Sequence, residues 1–138
     1  MPIGNMIAWL DGADRTTLFD SAGRDAADAL FNGTVLNWLD KSGSANDHDF
    51  NSNVGSPAYS QANFSLLFDG ATTGMTTPNH NEINLVVVLQ RNITVAFRTS
   101  ADVNTRQVLY EEGGNVRGMN MYIFNGQLYC GFYNNVAS

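Results

Sequence analysis

The sequence predicts an all-β fold, an antiparallel β-sandwich, and three observations lead there. Short apolar runs rich in β-forming residues recur at roughly 8–12-residue intervals between Gly, Asn and Asp turns. One hairpin is written out almost completely between Met119 and Tyr133. Ala, Glu, Lys and Leu are too scarce, and helical periodicity too weak, for a helical bundle.

Taken in order, Met6–Leu10 (MIAWL) reads as a first strand stopped by the Asp11-Gly12 turn. A polar stretch follows, punctuated by Asp14, Asp20, Asp25 and Asp28, with Ala26–Phe31 the one place for a helical turn. Val35–Leu39 (VLNWL) is the next strand, closed by Asp40-Lys41-Ser42-Gly43. Ser44–Ser56, whose only apolar side chains of size are Phe50 and Val54, reads as a long surface loop. Phe64–Phe68 (FSLLF) is a strand ending at Asp69-Gly70. Leu85–Leu89 (LVVVL) and Ile93–Arg98 (ITVAFR) are the most β-prone stretches, and Val108–Glu111 leads through Gly113-Gly114 into the hairpin.

Asn125-Gly126 is the strongest short-range hairpin signal, because a type I′ turn needs φ > 0 at both central residues. A two-residue turn fixes the register: Phe124/Gln127, Ile123/Leu128, Tyr122/Tyr129, Met121/Cys130, Asn120/Gly131 and Met119/Phe132. Alternation then puts Met119, Met121, Ile123, Leu128, Cys130 and Phe132 on a core face, and Asn120, Tyr122, Phe124, Gln127 and Tyr129 on an amphipathic, aromatic face. The second strand of this hairpin is long and hydrophobic, and with little chain after it its outer edge is left without sequence to cover it.

At 138 residues the chain is expected to be one domain, 1–138, burying about two-thirds of its unfolded surface. Its net charge of −6 and single lysine argue against nucleic acid and anionic membranes as partners. No segment reaches the ~18 apolar residues of a membrane span. Cys130 is the only cysteine, which excludes an internal disulfide and reads as a small buried hydrophobe on the core face. The Asn/Gly/Ser/Thr-rich, Lys/Glu-poor composition points to an extracellular, cell-surface or virion protein, although the N-terminus carries no signal peptide.

AWLDGAD (8–14) with TLFD (17–20), WLDKSGSAND (38–47), SPAY (56–59), LLFDG (66–70), EINL (82–85) and VAFRTSADVNTRQVLYEEGG (95–114) follow one another along the chain. In this order and spacing they together resemble the laminin-G-like branch of the concanavalin A-like lectin/glucanase superfamily. The resemblance implies a jelly roll of two antiparallel sheets, one concave and one convex. It also implies further strands beyond the GQLY hairpin. The sandwich is therefore expected to be incomplete in this chain, truncated at its C-terminus or completed by a neighbouring subunit. Thr72 and Thr73 stand where relatives commonly carry acidic residues.

Glycosidase chemistry needs two carboxylates flanking one bond, and the only glutamate pair, Glu111-Glu112, is adjacent and so points to opposite strand faces. His48 and His80 lie in polar segments without metal-ligand spacing and read as surface histidines. The chain is thus expected not to be an enzyme, and to need no cofactor. Calcium is the one candidate, since oxygen ligands cluster at Asp11/Asp14, Asp40/Asp47/Asp49 and Asp69; its seat would be Asp69 or the loop of Asp40 and Asp47, and the competing role is Asx-turn formation. Carbohydrate binding would use Tyr122 and Tyr129 as a stacking pair, with Asn120, Tyr133 and Asn134 beside them. Trp9 and Trp38, inside apolar runs, read as core anchors. Three Asn-x-Ser/Thr sequons, at Asn32, Asn63 and Asn92, fit chance in so Asn-rich a chain.

Two functions are carried forward. One is a non-catalytic recognition or adhesion module that binds a glycan or a protein surface. The other is a structural building block, such as a virion or filament subunit, that self-associates through the edge strand Gln127–Tyr133.

Overall fold

A computed structural model describes residues 6–43, 48–80, 83, 92–113 and 117–134. The chain divides into two compact units, 1–80 and 81–138. Among the described residues there are nine strands, every pairing is antiparallel, and η1, a 3-10 turn at Arg15–Thr17, is the only helical element that spans more than one residue.

The first unit holds six short strands: β1 (Leu18–Phe19), β2 (Asn37–Trp38), β3 (Phe50–Ser52), β4 (Ala58–Ser60), β5 (Ser65–Leu67) and β6 (Met75–Thr76). Four of them form a sheet in the order β1-β2-β3-β6, and β4 pairs with β5. Leu18, Ala26, Val35 and Tyr59 are the buried core, with Phe31, Trp38, Leu66 and Met75 packed around them. Phe31 meets Tyr59 edge to face, ring centroids 6.4 Å apart. Fully buried Asp20 ties down the 20–33 loop: its carboxylate accepts from the amides of Ala22 and Arg24 and the guanidinium of Arg24. The Asn32 amide reaches the same carboxylate across the loop.

Several expectations are corrected here. Met6–Leu10 is not a strand: the Trp9 amide donates to Asp40 Oδ1 at 2.7 Å and the Trp9 carbonyl accepts from the Lys41 amide, so a side-chain clasp replaces a ladder. Ala26–Phe31 makes successive turns closed at Asp25 and Asp28 rather than a helix. The supposed loop 44–56 contains β3, an interior strand of the sheet. It is held by an amide–amide bond from Asn37 to Asn51 and by Ser52 Oγ donating to the Val35 carbonyl. Ile93–Arg98 forms no strand, and Leu85–Leu89 lies outside the described residues.

The second unit holds β7 (Gln107–Gly113), β8 (Arg117–Phe124) and β9 (Gln127–Asn134), ordered β7-β8-β9. The β8–β9 register is the one that the two-residue turn requires, from Phe124↔Gln127 to Met119↔Phe132 and on to Arg117↔Asn134. Asn125 (φ 48°) and Gly126 (φ 72°) supply the left-handed pair, and the Gly126 amide is anchored on the Val103 carbonyl at 2.9 Å. The apolar face is buried on the central strand, where Met119 and Ile123 are 6% and 7% exposed. On the edge strand it is open: Leu128 and Phe132 are exposed, and so is Cys130, which corrects the expectation of a buried thiol.

Candidate functional site

The other face of this three-stranded sheet gathers the residues singled out for binding. Register and alternation place them in rows across the strands. The aromatic row is Val108, Tyr122 and Tyr129. The two tyrosine rings stack almost parallel, 7° apart with centroids at 4.9 Å. Arg106, two residues before Val108, lays its guanidinium 4.5 Å from the centroid of Tyr122, so that a cation and a second ring flank one phenol. The Tyr129 hydroxyl donates to Gln127 Oε1 at 3.0 Å, which fixes the outermost ring while leaving it 37% exposed.

The next row is polar: Glu111, Asn120 and Gly131. Gly131 has no side chain to fill its place, and the Asn120 amide leans into that space, its Oδ1 3.3 Å from where a Cβ on Gly131 would stand. The third row is Gly113, Gly118 and Tyr133, and the Tyr133 ring lies over Gly118 so closely that a Cβ there would run into it. The result is a shallow valley with a carboxylate and an amide along its floor, and tyrosines at either end about 13 Å apart along β9, taking the 3.2–3.4 Å rise of a strand.

Tyr122, Tyr129, Asn120 and Tyr133 thus lie on one face of this sheet, while Asn134 stands at the end of β9 in register with Arg117. Glu111, weighed from the sequence only as half of a glutamate pair, shares this face opposite Asn120, and Arg106 joins it at the Tyr122 ring; both placements depend on how β7 pairs with β8.

The acidic candidates serve their loops. Asp69 Oδ1 accepts from the amides of Ala71, Thr72 and Thr73 at 2.8–2.9 Å and from the Thr73 hydroxyl, and Oδ2 accepts from the Thr72 hydroxyl. These bonds hold its carboxyl well below the usual carboxylate range, the Thr72 hydroxyl contributing most. Asp40 Oδ1 accepts from Trp9 and Ser42 amides and Oδ2 from the Ser42 hydroxyl at 2.6 Å. Asp47 lies outside the described residues. A calcium ion at Asp69 or Asp40 would have to displace these bonds, and among the described residues no three His, Cys, Asp or Glu side chains come together to hold a metal.

Asp11 and Asp14 grip the single lysine. Lys41 Nζ lies 3.1 Å from Asp11 Oδ2, 2.7 Å from Asp14 Oδ2, and 4.6 Å from the centroid of the Trp9 ring. Trp9 is therefore a 44% exposed lid on an ion-pair cluster, which corrects its reading as a core anchor; Trp38 does pack against the core. His48 is likewise not a surface residue: it is fully buried, edge to face with His80 at 4.5 Å between centroids.

Among the described residues no helix is long and apolar enough to cross a membrane. Compared with known proteins, the chain matches no family model, no curated protein and no solved structure.

Proposed function

We propose that this chain is a non-catalytic recognition module of the laminin-G-like, concanavalin A-like kind, working at a cell surface, outside the cell or on a virion, and binding a neutral glycan on the aromatic face of its β7–β8–β9 sheet. The observation that carries the reading is the pairing of stacked Tyr122/Tyr129 with the Glu111–Asn120–Gly131 valley. Aromatic carbons cover the apolar face of a sugar while the amide and carboxylate take its hydroxyls. The chain's charge of −6 disfavours acidic glycans. Glu111 and Glu112 are in register with Asn120 and Met119, on opposite faces, so they cannot flank one glycosidic bond. An array of neutral oligosaccharides probed with the full chain and with Tyr129→Ala tests this: retention of at least one glycan by the parent, lost in the variant at unchanged melting temperature, is the expected result. Binding that ignores Tyr129 and Asn120 would remove the reading.

A second reading, a structural subunit joined through its sheet edges, is favoured by the contrast between the two edges of this sheet. β7 carries Glu111 and Glu112 and a register irregularity between Val108 and Tyr110, devices that discourage edge pairing. β9 runs eight residues with no charge, no proline and no irregularity.

A further inference from the structure

We infer that two copies of this chain pair antiparallel through the outer edges of their β9 strands, about a two-fold axis at Cys130, giving one continuous six-stranded sheet. This rests on the reading of the chain as an assembling subunit and specifies its partner and register. The argument begins with the turn. In a two-residue hairpin the residues flanking the turn, Phe124 and Gln127, exchange hydrogen bonds, and such pairs then alternate along the ladder. Tyr129, Gly131 and Tyr133 therefore turn their peptide groups toward β8. Leu128, Cys130 and Phe132 turn theirs outward, a row of donors and acceptors with no partner strand among the described residues.

Charge permits a second copy as the occupant, and side-chain fit selects it. Each copy carries a net −6, so two copies repel unless they meet on neutral ground, and β9 holds none of the chain's charged residues. The register follows from side-chain fit. With the axis at Cys130, Leu128 faces the partner's Phe132 on one side of the sheet, and the partner's Leu128 faces Phe132, so that side chains 52% and 79% exposed in the single chain cover each other. On the other side Tyr129 lies opposite the partner's Gly131, repeating the arrangement in which Tyr133 lies over Gly118 within the chain. A shift of two residues one way sets Phe132 opposite the turn residue Gly126, and the other way sets Leu128 opposite Asn134 at the strand's end. Only the central register uses all three outward residues and both apolar pairs. The contact is isologous and closes at two copies. An interface of one strand pair lies below the roughly 1,200 Å² of standard complexes, so the dimer is expected to be a weak, concentration-dependent one.

This register also sets Cys130 against the partner's Cys130 in a hydrogen-bonded pair, about 5.5 Å between Cα atoms and within the 4.4–6.8 Å that a disulfide spans. That provides the test, because Cys130 is the only thiol. Sedimentation velocity over a concentration series would be combined with brief oxidation by diamide, which takes up the two protons and two electrons released as the S–S bond forms. The parent chain is expected to show a reversible monomer–dimer equilibrium and to crosslink at least about tenfold faster than the same chain unfolded in urea, the gain expected when pairing raises the local thiol concentration. Phe132→Lys, which opposes a charge to the partner's Leu128 at an exposed position, should abolish both, whereas Leu30→Lys, at an exposed position of the first unit, should leave both intact. Association that survives Phe132→Lys, with crosslinking no faster than in urea, would overturn this interface and leave the assembly reading standing. A monomer at every concentration would overturn both.

Discussion

Tyr122 and Tyr129 stack at 4.9 Å across β8 and β9, and the guanidinium of Arg106 lies 4.5 Å from the centroid of the Tyr122 ring. The inner ring is thus committed to structure and the outer one remains available. The pair makes the hairpin a rigid aromatic ledge, since each ring limits the other's rotamers while the Gln127 side chain holds the Tyr129 hydroxyl.

A double-mutant cycle on Tyr122→Ala and Tyr129→Ala should return a coupling of about 0.5–1.5 kcal/mol, the range for an aromatic pair beyond its area burial. Tyr122→Ala should lose more stability than Tyr129→Ala, because it also gives up the contact with Arg106. Urea unfolding of the four proteins measures this, and additive losses would mean that the stack contributes nothing.

Gly118 and Gly131 are both strand glycines on the same face, yet they should respond oppositely to alanine. A Cβ at Gly118 meets the Tyr133 ring and the Glu112 backbone carbonyl, so Gly118→Ala should destabilise the hairpin by about 1–3 kcal/mol, the usual cost of overpacking. At Gly131 the nearest atom is the terminal Oδ1 of Asn120 at 3.3 Å, so Gly131→Ala should be neutral in stability, or gain by up to about 1 kcal/mol from the lost freedom of the unfolded chain. The same added methyl occupies the valley, and any glycan retained by the parent should bind Gly131→Ala more weakly. Thermal melts read alongside the glycan array separate the two effects.

The hairpin was legible because its information is local: one Asn-Gly pair dictates the turn, and the turn dictates every cross-strand partner down to Met119 and Phe132. What was not legible depends on distant partners. Phe50–Ser52 has no hydrophobic pattern to advertise a strand; it becomes one because Asn37 and Met75 lie on either side. Trp9 sits in an apolar run but its backbone is claimed by Asp40 and Lys41, and His48 sits in a polar run but is packed against His80. Cys130 has the alternation of a core residue and the exposure of an edge residue, a difference that only sheet order decides. In the candidate site the tyrosines and Asn120 could be read from the hairpin alone. Glu111 and Arg106 could not, since the irregularity between Val108 and Tyr110 resets which β7 residues share the face.

In the first unit, Leu18 is wholly buried at the centre of the core, and Leu30 is 71% exposed. Leu18→Ala should therefore cost about 2–5 kcal/mol, the transfer of the lost methyls plus the cavity left behind. Leu30→Ala should stay within about 0.5 kcal/mol. Chemical denaturation followed by Trp38 fluorescence, in a Trp9→Phe background so that one indole reports, would show whether the core lies where the packing puts it. Equal losses at the two positions would contradict it.

Acid should weaken the fold, and the direction follows from four aspartates. Asp14 is held at about 2 against an ordinary value of 3.8, chiefly by the Lys41 ammonium and then by Thr16. Asp69 and Asp102 are lowered by hydroxyls and amides of their own loops. At Asp20 burial alone would raise the carboxyl, but the bonds from Arg24, Ala22 and Asn32 outweigh it and the net shift is downward. In each case the unfolded chain takes up its proton at a higher pH than the folded chain. The stability these groups contribute is therefore fully present above about pH 4–5, and is lost as pH falls through the lowered folded values. Lys41 works in the opposite sense: its ammonium is raised above 10.5 by Asp14 and Asp11, so its contribution persists below that value and disappears only in strong alkali. Urea midpoints should accordingly drop as pH falls from about 4 to 2. Lys41→Met should be less stable than the parent at neutral pH and show a shallower acid drop, because Asp14 then titrates closer to its ordinary value. A midpoint that stays level down to pH 2 in the parent chain would contradict the assignment of these carboxylates as staples of their loops.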